Sequence, residues 1–184
     1  MNKRILIIFL LIFAAAFLSV SCLSQTSDAP VPDNKSESSV IPLDPAVRSG
    51  VLENGLTWYV KKNAEPEKRA SLRLVVNAGS VLEEDDQAGL AHFCEHMAFN
   101  GTENFEKMEL VDYLESLGMA FGPDINAYTG FDETVYMLEI PTDDEQVVST
   151  AFQVLEDWAH LISFEDGEVE KERGVIQEEW RLGR

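Results

Sequence analysis

The sequence predicts an α+β fold, a sheet with helices packed on one side. Three observations predict it. Runs with strand-like alternation come first, and the later helical runs are interleaved with one more strand. Each helical run carries one apolar stripe, so each needs a surface to cover it. Hydrophobic residues make up 45% of 184, enough for a buried core and too many for wholesale disorder. Charge narrows the function classes. There are 14 Lys+Arg against 33 Asp+Glu, a formal net charge of -19. A phosphate backbone would be repelled, which excludes nucleic acid as the main partner. Two cysteines, Cys22 and Cys94, exclude a disulfide-dense scaffold.

Residues 1–21 read as an export signal. Lys3 and Arg4 form a positive head, Ile5 to Val20 is apolar apart from Ser19, and Ser21-Cys22 follows. The apolar run is shorter than the roughly 20 residues of a spanning helix. Leu18-Ser19-Val20-Ser21-Cys22 resembles a bacterial lipoprotein signal, with Ser19 where leucine usually stands. Cys22 is the expected lipidation site; a plainly cleaved signal or an uncleaved anchor is the alternative. Residues 22–45 are expected to be a flexible tether, rich in Ser and Pro, spanning on the order of 25 Å as a coil. It would hold the folded part, residues 46–184, off a membrane surface.

Within the folded part, Gly50 to Lys61 reads as a hairpin turning at Asn54-Gly55. Ser71 to Asn77 is a strand with Leu72, Leu74 and Val76 on one face. Gln87 to Asn100 reads as a helix entered from the acidic run Glu83 to Asp86, which suits the positive end of a helix dipole, and closed by Gly101. Glu106 to Leu117 is a second helix with Leu110, Tyr113, Leu114 and Leu117 as its stripe. Thr134 to Ile140 is a strand ended by Pro141. Asp144 to Leu161 is a long helix whose buried side is expected to be Val147, Val148, Ala151, Phe152, Leu155, Trp158 and Ala159. A last helix spans about Glu168 to Arg181, and spacing alone makes Asn126 to Thr129 a loop.

The chemistry concentrates in His92-Phe93-Cys94-Glu95-His96. Positions four apart lie one turn apart on one helix face, so His92 and His96 can aim at a single point. Two neutral imidazoles suit zinc. Glu95 can stand beside the metal without binding it and take a proton from an activated water. Two of the chain's three histidines form this pair, on an otherwise apolar helix where polar groups need partners. Cys94 lies well around the helix from them and is expected in the core. His160 is expected in a packing or helix C-terminal role. A catalytic zinc site wants a third protein ligand. Glu172 and Glu179 are two helical turns apart on one face, with Val175 and Ile176 turning that face inward. Composition does not choose between them. Glu168, Glu170 and Glu178 read as solvated acids.

His-x-x-Glu-His is the inverted zinc motif of the inverzincins. With GLAHFCEHMAFNGTENF around it and ERGVIQEEW downstream, the chain resembles the pitrilysin family of zinc metallopeptidases, relatives of insulin-degrading enzyme and the mitochondrial processing peptidase, in its bacterial periplasmic branch. The resemblance covers about residues 46–184. It implies a metallopeptidase half-domain of the kind shared with LuxS and the processing peptidases. It implies Zn2+ on His92, His96 and Glu179, Glu95 as general base, and Glu172 as a second acid that supports catalysis. It also implies that Asn126, Ala127 and Tyr128 bind substrate at the start of an edge strand. Thr134 and Tyr136 fall in the same block, where strand packing is an equally good role. The gap between His96 and Glu179 is somewhat longer than in well-known members, and loops are expected to absorb the extra residues.

Family members are much longer and close a second, related domain over the substrate. The chain is therefore expected to be a truncated, N-terminal active-site portion that needs a second homologous domain or subunit. The expected function is zinc metalloendopeptidase action on extended peptides or unfolded proteins. The alternative is a non-catalytic or partner-dependent subunit, or a truncated product, that binds zinc and peptide without acting alone. The expected location is a bacterial cell envelope, facing the periplasm, on a lipid anchor.

Overall fold

A computed structural model describes residues 41–107, 109–116 and 119–183. The export signal, Cys22 and most of the tether lie outside the described residues. The chain divides into two units, residues 1–47 and 48–184. The architecture is that of the second, at whose boundary the first strand begins. In chain order the elements are β1 (Val47–Val51), β2 (Thr57–Lys61), β3 (Arg69–Val76), α1 (Leu90–Met97), α2 (Glu109–Ser116), β4 (Ile125–Thr129), β5 (Thr134–Pro141), α3 (Glu145–His160) and α4 (Asp166–Leu182), with a 3-10 turn at Ser80–Leu82 between β3 and α1.

β1 and β2 make the expected hairpin, begun a few residues earlier. The N–H of Leu52 donates to the Leu56 carbonyl at 2.8 Å, and Gly55 turns the chain at φ 90°, a value that side chains avoid. The main sheet has the order β3-β5-β4, with both pairings antiparallel. Its register puts Ala70, Leu72 and Leu74 of β3 opposite Ile140, Leu138 and Tyr136 of β5. Ile125 and Ala127 of β4 stand opposite Leu138 and Tyr136. This is the covered face, and it forms the core with Val147, Ala151, Val154 and Trp158 of α3. The other face is polar: Ser71 donates to Glu139, and Arg73 pairs with Glu139 at 2.9 Å. Helices thus cover one side of the sheet, as the sequence predicts. Val76, expected with Leu72 and Leu74, is more than a third exposed at the strand's end.

Two elements are β4 and α1, and both differ from the spacing-based expectation. β4 is an edge strand, where spacing alone makes a loop. α1 starts three residues later than expected, because Gly89 has φ 92° and cannot continue a right-handed helix. The acidic run does serve the helix start, but through one residue. Glu83 accepts from the N–H groups of Gly89 and Ala91, both at 2.8 Å. Cys94 is exposed on α1 and not in the core. α2 buries Leu110 and Leu114 as expected, and Val111 with them; Leu117 and Gly118 lie outside the described residues.

α3 is capped by Asp144, which accepts from the N–H of Gln146 at 2.8 Å. Its buried face is Val147, Thr150, Ala151, Val154, Asp157 and Trp158. Phe152, expected inside, is 58% exposed, and Ala159 is exposed as well. The stripe is rotated because two polar residues occupy it. Asp157 can do so because it is fully satisfied: it accepts from the Thr102 hydroxyl at 2.5 Å, from the Asn104 amide side chain at 2.8 Å and from the Asn104 N–H at 3.2 Å. His160 ends α3 exposed, with Glu156 at 3.9 Å, so its place is at the helix C-terminus and not in packing.

α4 buries no residue completely. Val175, expected to turn inward, is 43% exposed and Trp180 is 82% exposed. The half-covered residues are Glu168, Val169, Glu172, Ile176 and Glu179, so carboxylates and two apolar side chains together meet the rest of the molecule. The connection between α3 and α4 is stitched to the loop after α1. Thr102 bridges to Ile162, the N–H of Glu103 donates to the Leu161 carbonyl, and the N–H of Ser163 donates to the Gly101 carbonyl, both at 2.9 Å. Lys107 of that loop pairs with Glu168 of α4. Glu168 is therefore a partner in an ion pair and not a merely solvated acid, and the two lysines beside it, Lys107 first and then Lys171, hold its carboxyl below the usual carboxylate range. This stitching returns α4 to the side of α1. Replacing Asp157 by Ala would take the short partner from the buried Thr102 hydroxyl and both bonds that hold the exposed Asn104 to α3. It is expected to cost about 3 kcal/mol in urea unfolding; an unchanged midpoint would show that the latch contributes nothing.

Candidate metal centre

α1 and α4 bring His92, His96 and Glu179 together. The two Nε2 atoms are 3.1 Å apart, and Oε2 of Glu179 lies 3.7 Å from His92 and 3.6 Å from His96. The rings stand edge-on, with centroids 4.6 Å apart at 87°. The helical spacing of four makes this meeting possible, and the stitched loop brings in the acid. Donors bound about 2.0–2.1 Å from a tetrahedral zinc ion lie roughly 3.3–3.4 Å from one another. The three edges of this triangle bracket that value. Two imidazoles and one carboxylate also match the ligand chemistry of zinc. The donor set fits the ion.

Behind the triangle, Nδ1 of His96 meets Oε1 of Glu172 at 2.6 Å. A carboxylate accepts there, so Nδ1 carries the proton and Nε2 keeps its lone pair for the triangle. Asn100 donates to Oε2 of Glu172 at 3.0 Å and to the His96 carbonyl at 3.3 Å. Both oxygens of Glu172 are thereby used, and Glu172 stands behind the triangle while Glu179 is at it.

Glu95 is buried, 8% exposed, and accepts from the Thr129 hydroxyl at 2.6 Å. Two carboxylates, Glu172 and Glu179, meet the two imidazoles, and Glu95 lines the cleft beside His92, a concentration of negative charge that calls for a cation. Tyr136 lies behind the site. Burial, and after it the charge of Glu95, pushes its phenol above the ordinary value and keeps it neutral. It stacks on Trp158 at 5.2 Å, and the Thr134 hydroxyl donates to the Ala78 carbonyl at 2.9 Å, so both are engaged in packing the strand.

A cleft of about 520 Å³ opens beside the triangle, with His92, Glu95, Ala127, Tyr128, Thr129 and Phe131 in its lining. Of the expected substrate residues, Ala127 and Tyr128 border it. Asn126 is exposed and accepts from the N–H of Ala127 at 2.9 Å. Tyr128 is pinned by its hydroxyl, which donates to Glu133 at 2.8 Å. Gly79 permits the floor of this region: a β-carbon there would fall 2.5 Å from the Gly130 carbonyl oxygen. Cys94 is not among the converging donors, and Cys22 lies outside the described residues.

Two residues at the site escape the motif reading, Asn100 and Thr129. The signal for Asn100 is its position four residues after His96, one more turn along the same face. Thr129 stands two residues after Ala127, on the same side of β4.

Comparison with known proteins gives the chain's family. The sequence profile of the insulinase family (peptidase family M16) matches residues 59–181. A Haemophilus influenzae protein named probable zinc protease PqqL is 44% identical over 179 residues, which is 97% of this chain and 18% of that protein. The crystal structure of the first half of the periplasmic protease PqqL from Escherichia coli superposes with a TM-score of 0.74 at 42% identity, over 77% of this chain and 30% of that one. Pitrilysin superposes at 0.62 with 25% identity, over 74% of this chain and 14% of pitrilysin. The chain spans less than a fifth of the length of the curated relative. With the profile matched across both the histidine helix and the helix that brings Glu179, the chain belongs to the insulinase family, peptidase family M16.

Proposed function

We propose that this chain carries the zinc site of a metalloendopeptidase that cuts extended peptides or unfolded proteins. The observation that carries the reading is the triangle of His92, His96 and Glu179, with Glu95 lining the same cleft as His92. These three residues would hold a zinc ion. Zinc, when bound, supplies Lewis acidity toward a carbonyl and lowers the pKa of a water molecule. Glu172 holds the Nδ1 proton of His96 and so keeps Nε2 available for donation. Glu95 accepts the proton of the attacking water and later delivers it to the leaving amine.

The edge of β4 receives the substrate as an added strand. Main-chain pairing of this kind binds extended peptides with loose sequence preference. Ala127 and Tyr128 border the cleft at that edge, and Asn126 holds the Ala127 amide. A second homologous domain or subunit closes over the cleft and completes the stabilisation of the oxyanion. Cys22 carries a lipid anchor and the folded part faces the periplasm; the relatives described as periplasmic proteases support the envelope location.

Glu95→Gln is expected to keep zinc affinity within about twofold and to lose peptide hydrolysis by about 10²–10⁴-fold. Full activity in that variant would overturn the role of Glu95. Glu172→Gln is expected to weaken zinc binding by about 10–100-fold in competition with a chromophoric chelator. An unchanged affinity would show that the contact with His96 does not support the metal.

A further inference from the structure

We infer that Thr129 is a positioning residue for Glu95. The hydroxyl of Thr129 donates to Oε2 of Glu95 at 2.6 Å, within the range of hydrogen bonds to an ionised acceptor. The Thr134 hydroxyl, 3.4 Å away, donates its own proton to the Ala78 carbonyl and is the other acceptor within reach of Thr129; the carboxylate oxygen, 0.8 Å nearer, is the better one. Among the described residues, Thr129 makes the one side-chain hydrogen bond to Glu95. Glu95 sits on a helix and Thr129 on the last position of an edge strand, so the bond ties two elements together.

The consequence is geometric. A free carboxylate can present either oxygen and turn about its terminal torsion, which is broad. With Oε2 held, Oε1 alone is left for proton transfer, in one place. A base must lie within hydrogen-bond reach of the proton it takes, so fixing one oxygen removes unproductive orientations. Threonine suits the position because its branched β-carbon restricts χ1 and favours a strand. The strand proposed to seat the substrate thus also holds the base, which sets the two at a fixed separation. Its catalytic meaning rests on the peptidase reading; the hold on Glu95 does not.

The test compares Thr129→Val, which removes the hydroxyl and keeps the shape, with Thr129→Ser, which keeps the hydroxyl. Both are made in the zinc-loaded full chain, assayed on an unstructured fluorogenic peptide and crystallised. Thr129→Val is expected to lower kcat about tenfold with KM and zinc affinity within about twofold, and Thr129→Ser to restore kcat to within about threefold. The crystal structure of Thr129→Val is expected to show the Glu95 carboxylate turned from its place, and that of Thr129→Ser to show it unmoved. Equal kcat for the valine variant and the parent, or a serine variant as slow as the valine one, would overturn the inference while the peptidase reading stands. A parent that cleaves no peptide even with a second homologous domain supplied would sink the peptidase reading; the two crystal structures would still decide the hold on Glu95, and an unmoved carboxylate in Thr129→Val would refute it.

Discussion

The polar contact between α1 and α4 is the one the candidate centre depends on. α4 has no completely buried residue. Beside the half-covered Val169 and Ile176, it meets α1 through His96 with Glu172, Asn100 with the same carboxylate, and the approach of Glu179 to both imidazoles. Carboxylates gathered in a half-covered space repel one another and lose water, so such a face holds together poorly without a cation. The ion proposed for the centre would therefore also fasten α4. Metal binding and the docking of this helix are then one event, as in other small sites where ligands from separate elements meet.

The rest of the fold supplies the reach. Tyr136, Leu138 and Ile140 form a dry layer with α3, and α3 ends where it must turn back toward α1. The turn is fixed by polar groups: buried Asp157 reads the loop at Thr102 and Asn104, and main-chain bonds join Gly101 and Glu103 to the α3–α4 connection. A buried carboxylate is costly unless its partners are complete, and here they are. Specific geometry at the centre thus rests on a second polar cluster some way along the chain.

Legibility in the sequence followed range. The His-x-x-Glu-His spacing is local, and helical periodicity maps it directly onto one face; His92 and His96 converge as that spacing predicts. Glu172 and Glu179 are both visible as acids on one face, but which one faces Nε2 of His96 and which faces Nδ1 is set by how α4 is brought back to α1, which no local pattern encodes. Of the helices, α3 had the right extent and a rotated buried face, because hydrophobicity passes over a core Thr150 and a core Asp157. Val175 shows the converse: an apolar residue beside the site residues, yet exposed. β4 is too short and too polar to read as a strand by itself, and its identity comes from pairing with β5. Glu83 reaches its capping partners six and eight residues on, beyond the spacing of ordinary caps.

X-ray absorption at the zinc edge, on the full chain loaded with one equivalent of zinc, addresses the central claim most directly. The expected spectrum has two imidazole nitrogens at about 2.0–2.1 Å and carboxylate or solvent oxygen at about 2.0–2.2 Å, with no sulfur. A sulfur scatterer near 2.3 Å, or fewer than two imidazoles, would mean that the ion is held elsewhere and that the triangle of His92, His96 and Glu179 is not the metal centre.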